Sequence, residues 1–229
     1  MKQRAKDLLA YFGVLAAMFA FAWWFRLRPL PVPPIPEAFP SRCVDGKTRT
    51  AEWQGFKFLY PADWVVETDD HSWEKQGIRA VEIGPKTDNV VISHMRPSIN
   101  EDKSTSPADK AFVDAVWRGA DPASISPTLH PELRGAVRSS IQKIKIGQRR
   151  GVLLLRREKA GLTDPRAYDM WVVVLEGEPS FSIGSGMLFH PHLMSKWQFP
   201  VRDPQMEKWR AKMECGFWTM LRSMEYKGP

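Results

Sequence analysis

The sequence predicts an α+β fold, an antiparallel β-sheet flanked by helices and preceded by one transmembrane helix. Three observations predict it. From Phe56 to beyond Ser180, short stretches rich in β-branched and aromatic residues alternate with turn residues at hairpin spacing. Two stretches with a helical apolar period, one opening at Ser106 and one at Pro204, interrupt and close this set. Strands broken by one helix and closed by another call for an antiparallel sheet covered by helices. Ahead of them lies an uncharged apolar run from Leu8 to Phe25.

The run is 18 residues long. As a helix it spans about 27 Å, close to the hydrocarbon thickness of a bilayer. A removable export signal would end on small residues, whereas this run ends Ala22-Trp23-Trp24-Phe25-Arg26. Bulky aromatics suit the membrane interface, so the run reads as a retained anchor. Lys2, Arg4 and Lys6 outweigh Arg26 and Arg28 across the span and favour a cytoplasmic leader over residues 1–7, with the body exported into the periplasm. Residues 26–42 form a spacer whose segment Pro29 to Pro40 holds six prolines in twelve residues. Such a segment forms neither helix nor central strand but an extended polyproline II rod, reaching about 35 to 40 Å at ~3.1 Å per residue.

The remaining residues, 43–229, are long enough to bury one core and read as one exported domain. Phe56 to Tyr60 and Trp64 to Glu67 read as a hairpin around Pro61-Ala62-Asp63, followed by strands from Ile78 to Ile83 and from Val90 to Met95. Ser106 caps a helix with Pro107 at its first position and Ala111, Phe112, Ala115 and Val116 on its apolar face. Strands then start near Val137, Val152, Tyr168 and Ser180. Asp203 and Pro204 open the last helix, where Met206, Trp209, Met213, Phe217, Met220 and Met224 recur at helical spacing and face the core. Cys215, Trp218 and Leu221 make a narrower second face. The chain has two cysteines, and in an exported domain Cys43 and Cys215 read as one disulfide, the entering chain lying on that second face.

The formal charge of +7 reflects topology signals more than the body. Without the five basic residues and Asp7 that flank the span, 28 basic and 25 acidic residues remain. That near balance argues against a nucleic-acid partner, which would need a clustered basic stripe on a recognisable module.

The segment Gly55-Phe56-Lys57-Phe58-Leu59-Tyr60-Pro61-Ala62-Asp63-Trp64 resembles the opening hairpin of the PsbP-like domains, Gly-Phe-x-Phe-x-(aromatic or aliphatic)-Pro-x-x-Trp. Phe56, Phe58 and Tyr60 alternate onto one face, Pro61 turns the chain and Trp64 packs back. The resemblance extends in element order from Trp53 to Tyr226. It implies an antiparallel sheet between helices, in a group made up mostly of accessory or binding proteins: photosystem subunits, envelope lipoproteins and toxin chaperones. The photosynthetic members lack a counterpart to this anchor, and no metal-site pattern of theirs falls on this sequence, so their activity is not carried over.

Catalytic signals are thin. There is no His-Glu-x-x-His, Gly-x-Ser-x-Gly or phosphate loop, and Gly184-Ser185-Gly186 reads as a strand end. Asp69-Asp70-His71 reads as a solvated turn. His190 and His192 would point to one side of an extended segment, but two imidazoles without a third ligand leave a metal site incomplete. No catalytic residue and no cofactor is assigned.

Two segments are candidates for contact with a protein partner. The crossover from Met187 to Phe199 is unusually rich in large apolar groups, with His190, His192, Trp197 and Phe199 as its anchors. The hairpin around Gly147 and Gly151 gathers Lys143, Lys145, Arg149, Arg150, Arg156 and Arg157, with Arg149 and Arg150 at its tip, suited to anionic lipid or an acidic partner. The expectation is a single-pass inner-membrane protein whose periplasmic domain has no chemistry of its own and works as an accessory through protein contact. The alternatives are an immunity-type protein that neutralises a secreted toxin, and a hydrolase whose site assembles only in the folded cleft.

Overall fold

A computed structural model of the chain describes residues 12–20, 47–69, 78–87, 96–102, 106–121, 124–126, 133–159, 167–186, 188–189 and 204–228. The chain divides into two units, Met1–Pro34 and Ile35–Pro229. In the first, residues 12–20 are helical, and Phe12, Val14, Met18 and Phe19 are 60 to 74 % exposed. No helix among the described residues is long and apolar enough to cross a membrane. The expected anchor from 8 to 25 and the spacer from 26 to 42 otherwise lie outside the described residues, as does Cys43.

The second unit is α+β, with antiparallel sheets and few helices. It opens with a strand that periodicity did not signal, β1 (Thr48–Trp53), antiparallel to β2 (Phe56–Pro61). Gln54 and Gly55 have φ of +46° and +80°, and two successive positive φ values make the tight turn that matches strand twist. The expected hairpin of Phe56 to Tyr60 with Trp64 to Glu67 does not form. Instead β2 pairs with β1 and, on its other edge, with β11 (Glu225–Tyr226), giving a three-stranded sheet. The turn after β2 is a corner between sheets. Ala62 N–H donates to Lys47 O at 3.1 Å and Trp64 N–H to Pro61 O at 3.0 Å, while the Trp64 ring is driven into the core.

The chain then enters the large sheet through β3 (Val65–Asp69) and β4 (Ile78–Gly84). The expected strand from Val90 to Met95 lies outside the described residues, and β5 (Ser98–Asp102) is the next strand. A strand does not start at Val137. Ser140 Oγ donates to Val137 O at 2.6 Å and accepts from Leu155 N at 2.8 Å, which holds a 3-10 turn over Arg138–Ser140. After it come β6 (Gln142–Ile146), β7 (Arg149–Lys159), β8 (Ala167–Leu175), β9 (Ser180–Gly184) and the short β10 (Leu188–Phe189). The order across the sheet is β3-β4-β5-β9-β8-β7-β6, with β10 on β8.

Helix α1 (Ser106–Trp117) covers one face of this sheet through Phe112, Val113 and Val116, packed against Val152, Leu154, Val172 and Val174. Its buried stripe is rotated from the expected one, since Ala111 is exposed and Val113 is buried. Helix α2 (Pro204–Ser223) packs on the opposite side, against β2 and β10. Met213, Phe217 and Met220 are fully buried there, and so, within a few per cent, are Cys215, Trp218 and Leu221. Both faces are covered because Trp218 meets Trp171 of β8 at 5.4 Å while the helix also lies along β2.

Gly216 permits that close approach. A Cβ at this position would stand 1.9 Å from Cη2 of Trp64, whose ring is enclosed and has nowhere to move. Gly216→Ala should therefore destabilise the body by about 1 to 2 kcal/mol, the overpacking penalty outweighing the ~1 kcal/mol gain in helix propensity. Denaturant melts of Gly216→Ala, Trp64→Leu and the double variant would check it. The double variant should be more stable than the two single losses added together predict, and strict additivity would remove Trp64 as the cause.

Candidate interaction site

The β6–β7 turn is two residues long, with Gly147 at φ +57° in its first position, where the preferred hairpin geometry requires glycine. A Cβ on Gly147 would also stand 2.6 Å from Tyr226 O, so the turn sits directly against β11. Strand alternation separates the basic residues that follow. Lys143, Lys145 and Arg150 share the α1 side of the sheet with Val152 and Leu154, while Arg149 and Arg157 point to the other side. The single basic cluster expected from the sequence is thus two groups on opposite faces.

Arg149 is enclosed by the protein's own groups. Its guanidinium lies 4.8 Å from the Phe181 ring centre and 4.3 Å from that of Tyr226. Nη1 donates to Glu176 O at 3.1 Å and Pro179 O at 2.7 Å, and Nη2 donates to the Tyr226 hydroxyl at 2.8 Å. Phe181 also packs edge-on against Phe56 at 4.7 Å and Trp53 at 6.2 Å. Arg149 therefore ties β7, the loop before β9 and the small sheet together. Gly177 makes room for it, since a Cβ there would fall 2.1 Å from Nη1.

Arg150 faces α1. It donates from Nε and Nη2 to both carboxylate oxygens of Glu176 and from Nη2 to Asp114 Oδ1 at 2.6 Å. The Glu176 bonds first, and the Asp114 bond next, hold its pKa above the ordinary arginine value, so it stays charged. Trp117 lies beside it, donating Nε1–H to Gly151 O at 2.9 Å, with Arg150 Cζ 5.7 Å and Lys143 Nζ 5.9 Å from its ring centre. Pro107, Lys110, Gln148, Arg149, Arg150, Glu176, Gly177 and Glu178 line an open groove of about 780 Å³ beside this turn.

Lys110 of α1 lines this groove, and it, Arg118 of α1 and Lys143 and Lys145 of β6 are exposed and form no ion pair among the described residues. Lys143 lies against the Trp117 ring, and the groove that Lys110 lines also holds Glu176 and the exposed Glu178, so it carries charges of both signs. Trp117, Lys110, Arg118 and Glu176 were missed from sequence because the helix and the hairpin that bring them together are far apart in the chain. The Glu176-Gly177-Glu178-Pro179 turn was the one local signal.

The crossover anchors His190, His192, Trp197 and Phe199 lie outside the described residues. At its base, Asp169 is fully buried and receives Arg157 Nε at 2.8 Å, with Arg210 at 3.9 Å. Ser185 is also fully buried. Its hydroxyl accepts from Trp171 N at 3.0 Å and donates to Gly186 O at 3.0 Å, so it closes the strand end. Among the described residues no group of three or more His, Cys, Asp or Glu side chains could hold a metal ion.

No protein-family model and no curated protein matches the chain. Among solved structures, a protein from Bacteroides thetaiotaomicron VPI-5482, determined at 1.50 Å resolution, is similar with a TM-score of 0.33 and 11 % identity. The match covers 76 % of this chain and 45 % of that one, so the chain spans less than half the length of that protein.

The geometry at Arg149 has a direct consequence for stability. Arg149→Lys should lose about 2 to 3 kcal/mol, since an ammonium cannot stack between two rings while donating to three fixed acceptors. Arg150→Lys, on the partly exposed face, should lose less than 1 kcal/mol. Thermal melts of the two variants would check the order, and equal losses would show that the enclosure of Arg149 adds nothing.

Proposed function

We propose that this chain is a single-pass protein of the cytoplasmic (inner) membrane whose periplasmic carboxyl-terminal domain acts as a non-catalytic accessory by contact with a protein partner. The observation that carries the membrane assignment is the exposed apolar helical segment 12–20. Phe12, Val14, Met18 and Phe19 present apolar surface along this helix, and hydrocarbon is the solvent that suits such a surface. Cys215 is disulfide-bonded, which suits an oxidising compartment outside the cytoplasm. Cys43 is the other cysteine of the chain, and the Cys43–Cys215 pairing is part of the proposal.

Binding rather than chemistry is supported by how the charged groups are disposed. Arg150 is held by Glu176 and Asp114, and on the other face Arg157 is held by Asp169, while Lys143 lies against Trp117 without an ion pair among the described residues. Tryptophan and arginine are side chains that protein interfaces favour, and Trp117 and Arg150 stand together here. Kinship with the PsbP-like accessory domains is proposed on the Phe56, Phe58 and Trp64 pattern, all three of which are buried.

A carboxyl-terminal alkaline phosphatase fusion should be active and remain with the membranes at full length. A mature chain beginning after Phe25, or activity only from a cytoplasmic reporter, would contradict the assignment. Cys215→Ser should lower stability under oxidising conditions by about 5 kcal/mol in the chain-entropy description of a bond closing so long a loop. Two thiols freely alkylated in the native exported protein would rule out the pairing.

A further inference from the structure

Strand β6 is an edge of the large sheet, and among the described residues nothing pairs with its outer side. Which of its backbone groups face outward follows from the turn. In a two-residue hairpin the closing pair, Ile146 with Arg149, exchanges hydrogen bonds, and the pattern then alternates. Lys145 with Arg150 and Lys143 with Val152 are therefore the pairs without cross-strand hydrogen bonds. Arg150 agrees, because its carbonyl accepts from Glu176 N at 3.1 Å on the far side of β7. The N–H and C=O groups of Lys143 and Lys145 are thus turned to the open edge. Their side chains share the α1 face, exposed and free of ion pairs among the described residues, with Lys143 5.9 Å from the Trp117 ring centre of α1.

Lysine on an edge discourages pairing with ordinary strands. It does so by charge, and the same charge attracts an acidic strand. We infer that β6 is the docking edge for an extended acidic segment of a partner protein, added as a further antiparallel or parallel strand. Its carboxylates would meet Lys143 and Lys145, and its flanks the Trp117 ring and the α1 cations. An anionic lipid surface would satisfy the cations but would leave the backbone edge without a partner, and therefore the edge favours a peptide. This inference rests on the reading of the body as a partner-binding domain and gives that partner its chemistry.

The test uses full-length protein in phosphatidylcholine nanodiscs and a fluorescent ten-residue peptide of alternating glutamate and threonine. Lys143→Glu with Lys145→Glu should weaken its binding at least tenfold. Lys145→Gln should keep most of the binding and Lys145→Pro, which removes an outward N–H, should lose it. In the wild-type protein the amides of Lys143 and Lys145 should gain protection from hydrogen exchange when the peptide is added, a readout independent of whether the proline variant folds. Binding that survives charge reversal, no change in amide protection, or displacement of the peptide by phosphatidylglycerol in the disc would overturn the inference. If the peptide binds at β6 but crosslinking in cells finds no envelope protein, the edge site stands and the accessory role falls.

Discussion

The guanidinium of Arg149 is the tie on which the arrangement of the body depends. Beside the Phe181–Phe56 contact, it is a point where the large sheet, through β7 and β9, meets the small sheet, through Tyr226 of β11. A planar cation between two rings gains from both faces while its edge donates to carbonyls. A lysine, a serine or an apolar residue could supply one of these contacts but not all of them. The clamp also sets the site. By drawing the Glu176–Pro179 loop over the start of β7, it leaves the next residue, Arg150, aimed at α1, where Glu176 and Asp114 fix it beside Trp117.

Packing around α2 complements this tie from the other end of the small sheet. The helix reaches Trp64 because residue 216 has no side chain, and it reaches Trp171 through Trp218. Such a helix is enclosed on more than one face, which explains why its second stripe is as buried as its first. Of the buried charged groups, Glu101 keeps one carboxylate oxygen without a hydrogen-bond partner among the described residues, whereas Arg96 is paired. Arg96, only 6 % exposed, donates to Glu67 at 2.6 Å and to Pro85 O at 2.7 Å, its stem lying over Gly84.

Much of the fold was legible from local pattern. The alternation of Phe56 and Phe58, the hydrophobic run of β7 and β8 and the stripe of α2 each report a buried face, and burial is what periodicity records. What was illegible depends on pairing at a distance. Strand β1, with the pattern Thr-Arg-Thr-Ala-Glu-Trp, is largely exposed and has no apolar face to announce it, so only its turn at Gln54-Gly55 marks it. The false hairpin arose because Pro61-Ala62-Asp63 has the composition of a turn, and composition does not say whether a turn returns the chain to the same sheet. At the site, Arg149 and Arg150 were identified as a pair by adjacency, yet adjacency on a strand places them on opposite faces with different roles.

Tied through Arg149, the two sheets form one cooperative body. Native-state hydrogen exchange on the full-length protein under increasing denaturant measures this directly. The amides of β2 and Tyr226 should open with the same free energy as those of β7 and β8, in a single global transition. Opening of β1, β2 and β11 at a distinctly lower free energy, with β7 and β8 still protected, would contradict it.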